Sequence, residues 1–124
     1  MLLYEDDSYK IRKAIFEVYS CLGPGLLENI YEEALCLELQ SMGFVVERQL
    51  EVMPHYKGVP LKTNYRIDIL VDNKIIIELK SVEEVKPVHK KQVLTYLRIA
   101  NKRLGLLVNF NTDNIKKSIY RIVN

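Results

Sequence analysis

The chain has 124 residues, of which 48% are hydrophobic and 27% are charged, and its formal net charge is +2. This composition is ordinary for a globular protein and excludes a disordered chain, and the length predicts one compact domain over residues 1–124. Residues 1–62 contain six Lys or Arg and ten Asp or Glu, whereas residues 63–124 contain twelve Lys or Arg and six Asp or Glu. The second half is therefore basic and could face a polyanion. Ordinary solvated surface is the alternative explanation of these charges.

Two amphipathic helices are predicted in the first third of the chain. The first covers residues 8–22, where apolar residues recur at helical spacing after N-cap candidates at residues 6–8. The Gly-Pro-Gly sequence at 23–25 ends this helix because proline and glycine disfavour its continuation. The second helix covers residues 27–42, and its acidic residues, Glu32 among them, are expected to face water.

Three strand segments are predicted between the second helix and residue 80. Residues 44–56 and 59–71 are rich in β-branched and apolar residues, and the second segment contains an irregular stretch around residues 62–64. Residues 72–74 form a turn. Residues 75–80, with the sequence IIIELK, form a strand that is buried on both faces because apolar residues occupy both parities.

A third helix and two further strand candidates complete the pattern. The helix covers residues 87–101 and begins with a proline, which suits a first-turn position. Residues 104–110 form a buried strand, and residues 118–123 have strand-like alternation. Two helices, a three-strand meander, a crossover helix and a further strand predict a mixed α/β layer fold.

Nothing in the sequence indicates a secreted or membrane protein. The N-terminus has no basic region before its apolar residues, and no apolar run approaches the ~20 residues that span a bilayer. Cys21 and Cys36 match no zinc or redox spacing, and both are expected to be buried, reduced thiols. We therefore expect a cytoplasmic protein.

Glu78 and Lys80 are charged residues within a strand that is otherwise apolar. Burying a charge is costly unless the charge is paired or bound to a metal. Strand side chains alternate, so these two point to the same side of the sheet, about 6.6 Å apart along the strand. A structural ion pair, or a strand end that emerges into solvent, would explain the same two residues.

Asp68 adds a second acid between isoleucines, in the preceding strand. If the turn at 72–74 is a three-residue loop, Asp68 faces Glu78 directly. Like charges at opposed positions repel each other, and a divalent cation between them would remove that repulsion. A two-residue loop would instead place Asp68 opposite Ile77, with the two acids on opposite faces of the sheet.

The residues around Asp68 and Glu78 have the chemistry that a magnesium site needs. Mg²⁺ prefers oxygen ligands and takes one or two protein carboxylates, so these two acids suffice, with the Leu79 carbonyl as a further ligand. Such an ion neutralises charge on a phosphate and generates a hydroxide nucleophile. The Lys80 ammonium would stabilise the charge that builds around phosphorus, or would help to deprotonate water.

The chain resembles a known nuclease superfamily at these positions. Asp68, nine intervening residues and then the sequence ELK at 78–80 resemble the D…ExK core of the PD-(D/E)xK superfamily, although an isoleucine precedes Asp68 where the superfamily's name has proline. Gly25, Glu28 and Tyr31 match the GxxExxY signature of one uncharacterised branch. The resemblance implies a restriction-endonuclease-like αβββαβ core, in which helices flank a central mixed sheet and the active site lies at the central hairpin.

The resemblance also implies roles for individual residues. Asp68, Glu78 and Lys80 take the catalytic positions of the superfamily. Glu28 corresponds to the acid that several branches supply from the helix before the sheet, where it binds the metal or a water on the metal. Without the resemblance, Glu28 would be an acid favoured by the dipole at a helix N-terminus.

Three further residues have supporting roles under this resemblance. Gln92 and Tyr96, four residues apart on the third helix, resemble the QxxxY motif of exonuclease-like branches, where these residues help to position the site and the DNA. Packing on a shared helical face would explain the pair equally well. Tyr31 lies one turn after Glu28 and is expected to be a core residue or a support for the site rather than a catalyst.

A group of cations lies on or beside the third helix, namely Lys86, Lys90, Lys91 and Arg98. Contacts from these residues to phosphates would give salt-dependent binding of nucleic acid without sequence preference. A solvated helix face is the alternative explanation.

The sequence therefore predicts a Mg²⁺- or Mn²⁺-dependent nuclease that hydrolyses phosphodiester bonds in DNA, with a metal site of Glu28, Asp68 and Glu78 beside Lys80. One rival is a nucleic-acid-binding module that does not cut, and another is an interaction or assembly protein that uses the sheet edge or the first helix. A homodimer that acts on branched DNA is a variant within the nuclease class. No membrane partner is expected.

Overall fold

The structure, a computed structural model, describes residues 2–124. It begins with two helices, α1 (Glu5–Leu22) and α2 (Glu28–Ser41). α1 starts earlier than predicted, so the acids at 6 and 7 lie in its first turn, where they complement the helix dipole, instead of capping it. No helix within residues 2–124 is both long and apolar enough to cross a membrane.

Seven short strands and a third helix, α3 (Pro87–Ala100), follow. The predicted segments 44–56 and 59–71 each divide into two strands, the second at the predicted irregular stretch. A short 3-10 turn at Ile115–Lys117 precedes the last strand. The strands are β1 (Val46–Val52), β2 (His55–Tyr56), β3 (Val59–Pro60), β4 (Tyr65–Val71), β5 (Ile75–Lys80), β6 (Leu104–Asn109) and β7 (Ile119–Val123).

Five of these strands form one mixed sheet in the order β1-β4-β5-β6-β7, whereas β2 and β3 form a separate hairpin. β5 and β6 are parallel, and the other neighbours in the sheet are antiparallel. α3 lies between β5 and β6 in the chain and provides the crossover that a parallel pair requires. This is the restriction-endonuclease-like mixed α/β arrangement predicted from the sequence.

β5 lies at the centre of the sheet, and its apolar side chains of both parities are buried, as predicted. Ile77 packs toward α1 and α2, whereas Ile76 packs toward α3. Gly105 on the neighbouring β6 lets α3 approach closely, because a Cβ at this position would lie 2.7 Å from Val93 Cγ1. Both faces of the β4–β5 hairpin are therefore fixed by close packing.

Two predictions about burial on the first helices are wrong. Glu32 has an exposed fraction of only 5% instead of facing water, because Arg48 and Gln49 donate hydrogen bonds to its carboxylate. Cys21 is exposed, whereas Cys36 is buried as predicted.

Candidate functional site

A three-residue loop joins β4 to β5. The loop spans residues 72–74, and Val71 pairs with Ile75 across it. The first two loop residues have positive φ angles of 50° and 55°, which Asp and Asn tolerate better than most residues. Because the loop length is odd, the register places Asp68 opposite Glu78, which is the condition that the sequence set for a shared site.

The regular β4–β5 ladder ends one residue before the two acids. Ile69 and Ile77 form its last pair. Beyond this pair, the Asp68 N–H donates to Glu78 Oε1 and the Leu79 N–H donates to Asp68 Oδ2, each at 2.9 Å. Each carboxylate thus accepts a backbone hydrogen bond from the opposite strand, and these bonds hold the two carboxylates together.

Asp68 and Glu78 form a coupled acidic pair. Burial, followed by the negative charge of Asp68, raises the pKa of Glu78 to about 9. Burial also raises the pKa of Asp68, while the hydrogen bond from the Leu79 N–H lowers it. The positive charge of Lys80 lowers the Glu78 pKa, but less than burial raises it. Ionising both carboxylates in this environment therefore calls for an added cation.

Lys80 ends β5 and points to the same side of the strand as Glu78. Its carbonyl accepts the Phe110 N–H at 2.9 Å, and it pairs with Asn109 in the parallel register with β6. The side chain is half-buried, and no ion pair to it is present within residues 2–124. The ammonium group is therefore held near the acidic pair and is free to contact a ligand.

An acidic cavity of about 150 Å³ opens on the α2 side of Asp68. Glu28 lies at the start of α2, and its negative charge is one of the causes that raise the Asp68 pKa. Its Oε1 accepts the Ser81 N–H at 3.3 Å, so the end of β5 helps to orient it. The residues that line the cavity are Glu28, Asn29, Glu32, Gln49 and Asp68.

Gln49 and Glu32 belong to this site, although the sequence did not point to them. Gln49 lies opposite Asp68 on β1 with a φ of 50°, a costly conformation for a residue other than glycine. Its Nε2 donates to Glu32 Oε1 at 2.5 Å and to Asp68 Oδ1 at 3.4 Å. Arg48 completes the contacts of Glu32 with an ion pair of 3.1 Å. No feature of the sequence marks Gln49. What distinguishes it is its backbone conformation, which is visible only in the structure.

Tyr31 supports the loop between α1 and α2. Its ring is fully buried and stacks on Phe110 with centroids 4.3 Å apart. Its hydroxyl donates to the Gly23 carbonyl and accepts the Leu26 N–H at 3.0 Å. The Leu26 carbonyl in turn accepts the Ser81 hydroxyl at 2.9 Å. These bonds fix the start of α2 against the end of β5.

Gln92 and Tyr96 lie on the α3 side of the acidic pair, across the sheet from α2. Gln92 Nε2 donates to the Tyr96 hydroxyl at 2.8 Å. Burial, followed by the negative charges of Glu78 and Asp68, raises the pKa of Tyr96 to about 12. The structure thus brings this pair next to the acids, while their role in positioning DNA stays a prediction.

The four cations predicted to contact phosphate are distributed around α3. Lys91 lines a cleft with Gln92, whereas the Nζ of Lys90 lies 4.5 Å from the centroid of the Tyr120 ring. Arg98 lines another cleft near β2, and Lys86 precedes the helix. Of the four, Lys91 is the one that lines a cleft with a predicted site residue. Nucleic-acid contacts by any of them stay a prediction.

Within residues 2–124, no three His, Cys, Asp or Glu side chains converge closely enough to hold a metal ion by themselves. Asp68 and Glu78 meet, whereas Glu28 shares the cavity with Asp68 without completing a group of three acids. Two adjacent carboxylates fit Mg²⁺, which takes one or two protein carboxylates and keeps several waters. Direct ligation by Glu28 or by the Leu79 carbonyl stays a prediction.

Comparison with known proteins agrees with this geometry. A profile described as the PD-(D/E)XK nuclease superfamily matches residues 5–122. No curated protein matches the chain significantly. The chain is similar to the crystal structure of SSO0001, with 27% identity and a TM-score of 0.60. This match covers 98% of the chain and 60% of SSO0001, so the chain spans less than two thirds of that protein. Because the profile covers nearly all of its residues, the chain belongs to the PD-(D/E)XK nuclease superfamily.

Proposed function

We propose that this chain is a Mg²⁺- or Mn²⁺-dependent nuclease that hydrolyses phosphodiester bonds in DNA, and that residues 1–124 form one such domain. Superfamily membership supports nuclease activity. The pair of Asp68 and Glu78 carries the metal part of the proposal. Their carboxylates are held together by backbone donors, and no ion pair neutralises them within residues 2–124. A divalent cation between them would supply the missing positive charge.

The residues around the acidic pair would have separate roles in hydrolysis. When bound, the ion supplies positive charge at the scissile phosphate and activates water. Asp68 and Glu78 would hold it together with the Leu79 carbonyl, and Glu28 would accept a hydrogen bond from water on the α2 side. Lys80 would place its ammonium where negative charge builds on the phosphate oxygens, or would take a proton from the attacking water.

The α3 side would position the substrate. The hydrogen bond between Gln92 and Tyr96 supports this role, because it fixes a hydroxyl beside the acidic pair. The cations on and before α3 would contact the phosphates that flank the scissile bond. These cations are Lys86, Lys90, Lys91 and Arg98.

We further assign the chain to the GxxExxY branch of the superfamily. Each signature residue has a physical use that supports this assignment. Gly25 has a φ of 93°, a conformation that favours glycine. Glu28 lines the cavity beside Asp68, and Tyr31 binds the loop that precedes it.

Cleavage assays with matched variants test the proposal. The substrates are supercoiled, linear duplex and single-stranded DNA, and RNA, each with Mg²⁺, Mn²⁺ or EDTA. We expect Asp68→Asn and Lys80→Met each to lower DNA cleavage by about 100-fold or more. Glu33→Gln and Lys13→Met change exposed residues of α2 and α1, and they should leave cleavage unchanged.

Thermal unfolding separates metal binding from catalysis. We expect Mg²⁺ to raise the melting temperature of the wild type but not that of Glu78→Gln, because the variant lacks one of the two carboxylates that hold the ion. Without a divalent ion, Glu78→Gln should be at least as stable as the wild type. The amide keeps an oxygen for the Asp68 N–H and removes a charge that burial disfavours.

The outcomes distinguish this proposal from its rivals. Equal cleavage by the wild type, Asp68→Asn and Lys80→Met would contradict the catalytic assignment. DNA binding without cleavage of any substrate, in Mg²⁺ or in Mn²⁺, would favour a module that binds but does not cut. The absence of both DNA binding and metal stabilisation would favour an interaction or assembly protein.

A further inference from the structure

A cleft on the α3 side of the acidic pair has a different lining from the cavity on the α2 side. Its volume is about 340 Å³, and no carboxylate lines it within residues 2–124. The cavity on the α2 side, in contrast, is lined by three acids. The residues that line the α3 cleft are Tyr65, Val88, His89, Lys91, Gln92 and Thr95. This lining fits a ligand that carries both an aromatic ring and a negative charge.

Tyr65 is the aromatic surface of the α3 cleft. It is the first residue of β4, and its exposed fraction is 39%. Its ring packs on the buried Tyr96 ring at 57°, with centroids 5.3 Å apart. This contact fixes the orientation of the Tyr65 ring while part of the ring stays open to the cleft. A tyrosine held in this way is a platform on which a planar ring can stack.

Two groups beside Tyr65 can bind a phosphate. Lys91 is exposed, and no ion pair to it is present in the described part of the chain, residues 2–124. His89 Nδ1 accepts the Lys86 N–H at 3.0 Å, so the ring proton lies on Nε2, which is then a donor. The α3 cleft therefore combines one aromatic face with the positive charge of Lys91 and an N–H donor.

The position of Tyr65 relates the α3 cleft to the proposed reaction. Tyr65 and Asp68 lie on the same strand, three residues and roughly 10 Å apart. A ring stacked on Tyr65 would therefore belong to a nucleotide that flanks the scissile bond.

We propose that the α3 cleft holds an unpaired base of the substrate, stacked on Tyr65, with an adjacent phosphate on Lys91 and His89. A base inside a duplex is covered on both faces by its neighbours, so only an unstacked base can present a face to Tyr65. The substrate class is therefore single-stranded DNA, or a single-stranded end or flap. This assignment rests on the proposed nuclease function for its place in the reaction, but base binding does not require cleavage.

Fluorescence anisotropy in EDTA tests base binding without cleavage. The probes are a labelled DNA single strand, a blunt duplex of the same sequence and the matching RNA single strand. We expect the DNA single strand to bind about tenfold or more tightly than the duplex. Tyr65→Ala should lower single-strand affinity about tenfold, whereas Tyr65→Phe should retain it because phenylalanine keeps the ring. Tyr9→Ala is the control, since Tyr9 is an exposed tyrosine near Lys13 on α1.

A salt titration tests the phosphate contact separately. Lys91→Ala should lower single-strand affinity and reduce the slope of log affinity against log salt by about 0.7, the value for one phosphate contact on a single strand. Lys13→Ala, the control on α1, should change neither quantity. Circular dichroism confirms that each variant is folded. A merely structural role of Tyr65 would lower affinity for the single strand and the duplex by the same factor.

The outcomes separate this inference from the nuclease proposal. Equal affinity for single strand and duplex, undiminished binding by Tyr65→Ala, or no binding of any probe would overturn the inference. Metal-dependent cleavage by the wild type would then still support the nuclease. Single-strand binding that depends on Tyr65, without cleavage in Mg²⁺ or Mn²⁺, would support the α3 cleft as a base site and contradict the nuclease proposal. Tighter binding of RNA than of DNA would overturn DNA as the source of the base.

Discussion

The β4–β5 hairpin has two ends that are held together differently. Toward the loop, residues 69–71 pair with residues 75–77, and all of these residues are apolar and buried. At the other end, Asp68 and Glu78 interrupt the ladder, and each carboxylate accepts a backbone N–H from the opposite strand. One hairpin thus carries a hydrophobic end and an acidic end in direct succession.

The difference shows that the residues that stabilise the hairpin and the residues of the candidate site occupy separate parts of one pair of strands. Burial of the apolar side chains drives the pairing and fixes the register. The acidic pair opposes folding through desolvation and mutual repulsion. It stays in place because the neighbouring pairs are well packed. Positions one residue apart along β4 therefore have opposite effects on stability.

Shortening β4 by one residue should disrupt both ends, and this is the largest effect that we expect. Deleting Ile69 while the loop keeps its three residues places Asp68 opposite Ile77 and turns its carboxylate to the other face. We expect no detectable DNA cleavage. We also expect a lower melting temperature, because buried side chains of one strand exchange faces. Cleavage assays, circular dichroism and thermal unfolding measure these outcomes.

Lys74→Ala is the control in the same hairpin, because it keeps the register of β4 against β5. It removes the ion pair of 2.6 Å between Lys74 Nζ and Asp7 Oδ2, whose side chains are both partly exposed. The expected loss is therefore at most about 1 kcal/mol in the free energy of unfolding, with cleavage unchanged. Wild-type cleavage by the deletion variant would mean that the register of β4 against β5 does not set the site.

Ile75→Ala should weaken the hydrophobic end alone. Ile75 is fully buried and pairs with Val71 next to the loop. The substitution leaves a cavity, so we expect the free energy of unfolding in urea to fall by about 2–5 kcal/mol. Cleavage per folded molecule, measured well below the melting temperature, should stay close to that of the wild type because the acids keep their register. A large loss of cleavage without a loss of stability would contradict the separation of the two ends.

The hairpin could be predicted from the sequence because its signals are local. Apolar residues at both parities predicted that β5 is buried on both faces, and the burial of β5 confirms this. The sequence predicted a turn at 72–74 but left a three-residue and a two-residue loop open, and the pairing of Val71 with Ile75 shows three residues. An acid flanked by apolar residues in each strand then marked Asp68 and Glu78 as candidates.

The α2 side of the site could not be predicted, because it depends on contacts between elements that are distant in the sequence. Glu32 reads as a solvent-facing acid on its own helix. It is buried because Arg48 and Gln49 approach it from β1. The distance from Glu28 to the acidic pair likewise depends on where α2 crosses the sheet, and residue spacing does not encode that crossing.

Tyr31→Phe should have a smaller effect on stability than Ile75→Ala, because Tyr31 belongs to neither end of the hairpin. The variant keeps the ring stacked on Phe110 and loses the hydroxyl that bonds the Gly23 carbonyl and the Leu26 N–H. We expect a loss of about 1 kcal/mol in the free energy of unfolding, because the loss of the hydroxyl leaves two partly buried backbone groups unpaired. Urea denaturation measures this loss.

Cleavage by Tyr31→Phe tests whether the loop before α2 positions the site. Leu26 anchors this loop to Ser81 at the end of β5, and Glu28 follows two residues later. A looser loop should misplace the Glu28 carboxylate and lower cleavage by up to about tenfold, more than Ile75→Ala does despite the smaller loss of stability. Unchanged cleavage would mean that Tyr31 contributes only to the core. Both variants would then leave cleavage unchanged, and the acidic site would depend on the hairpin alone.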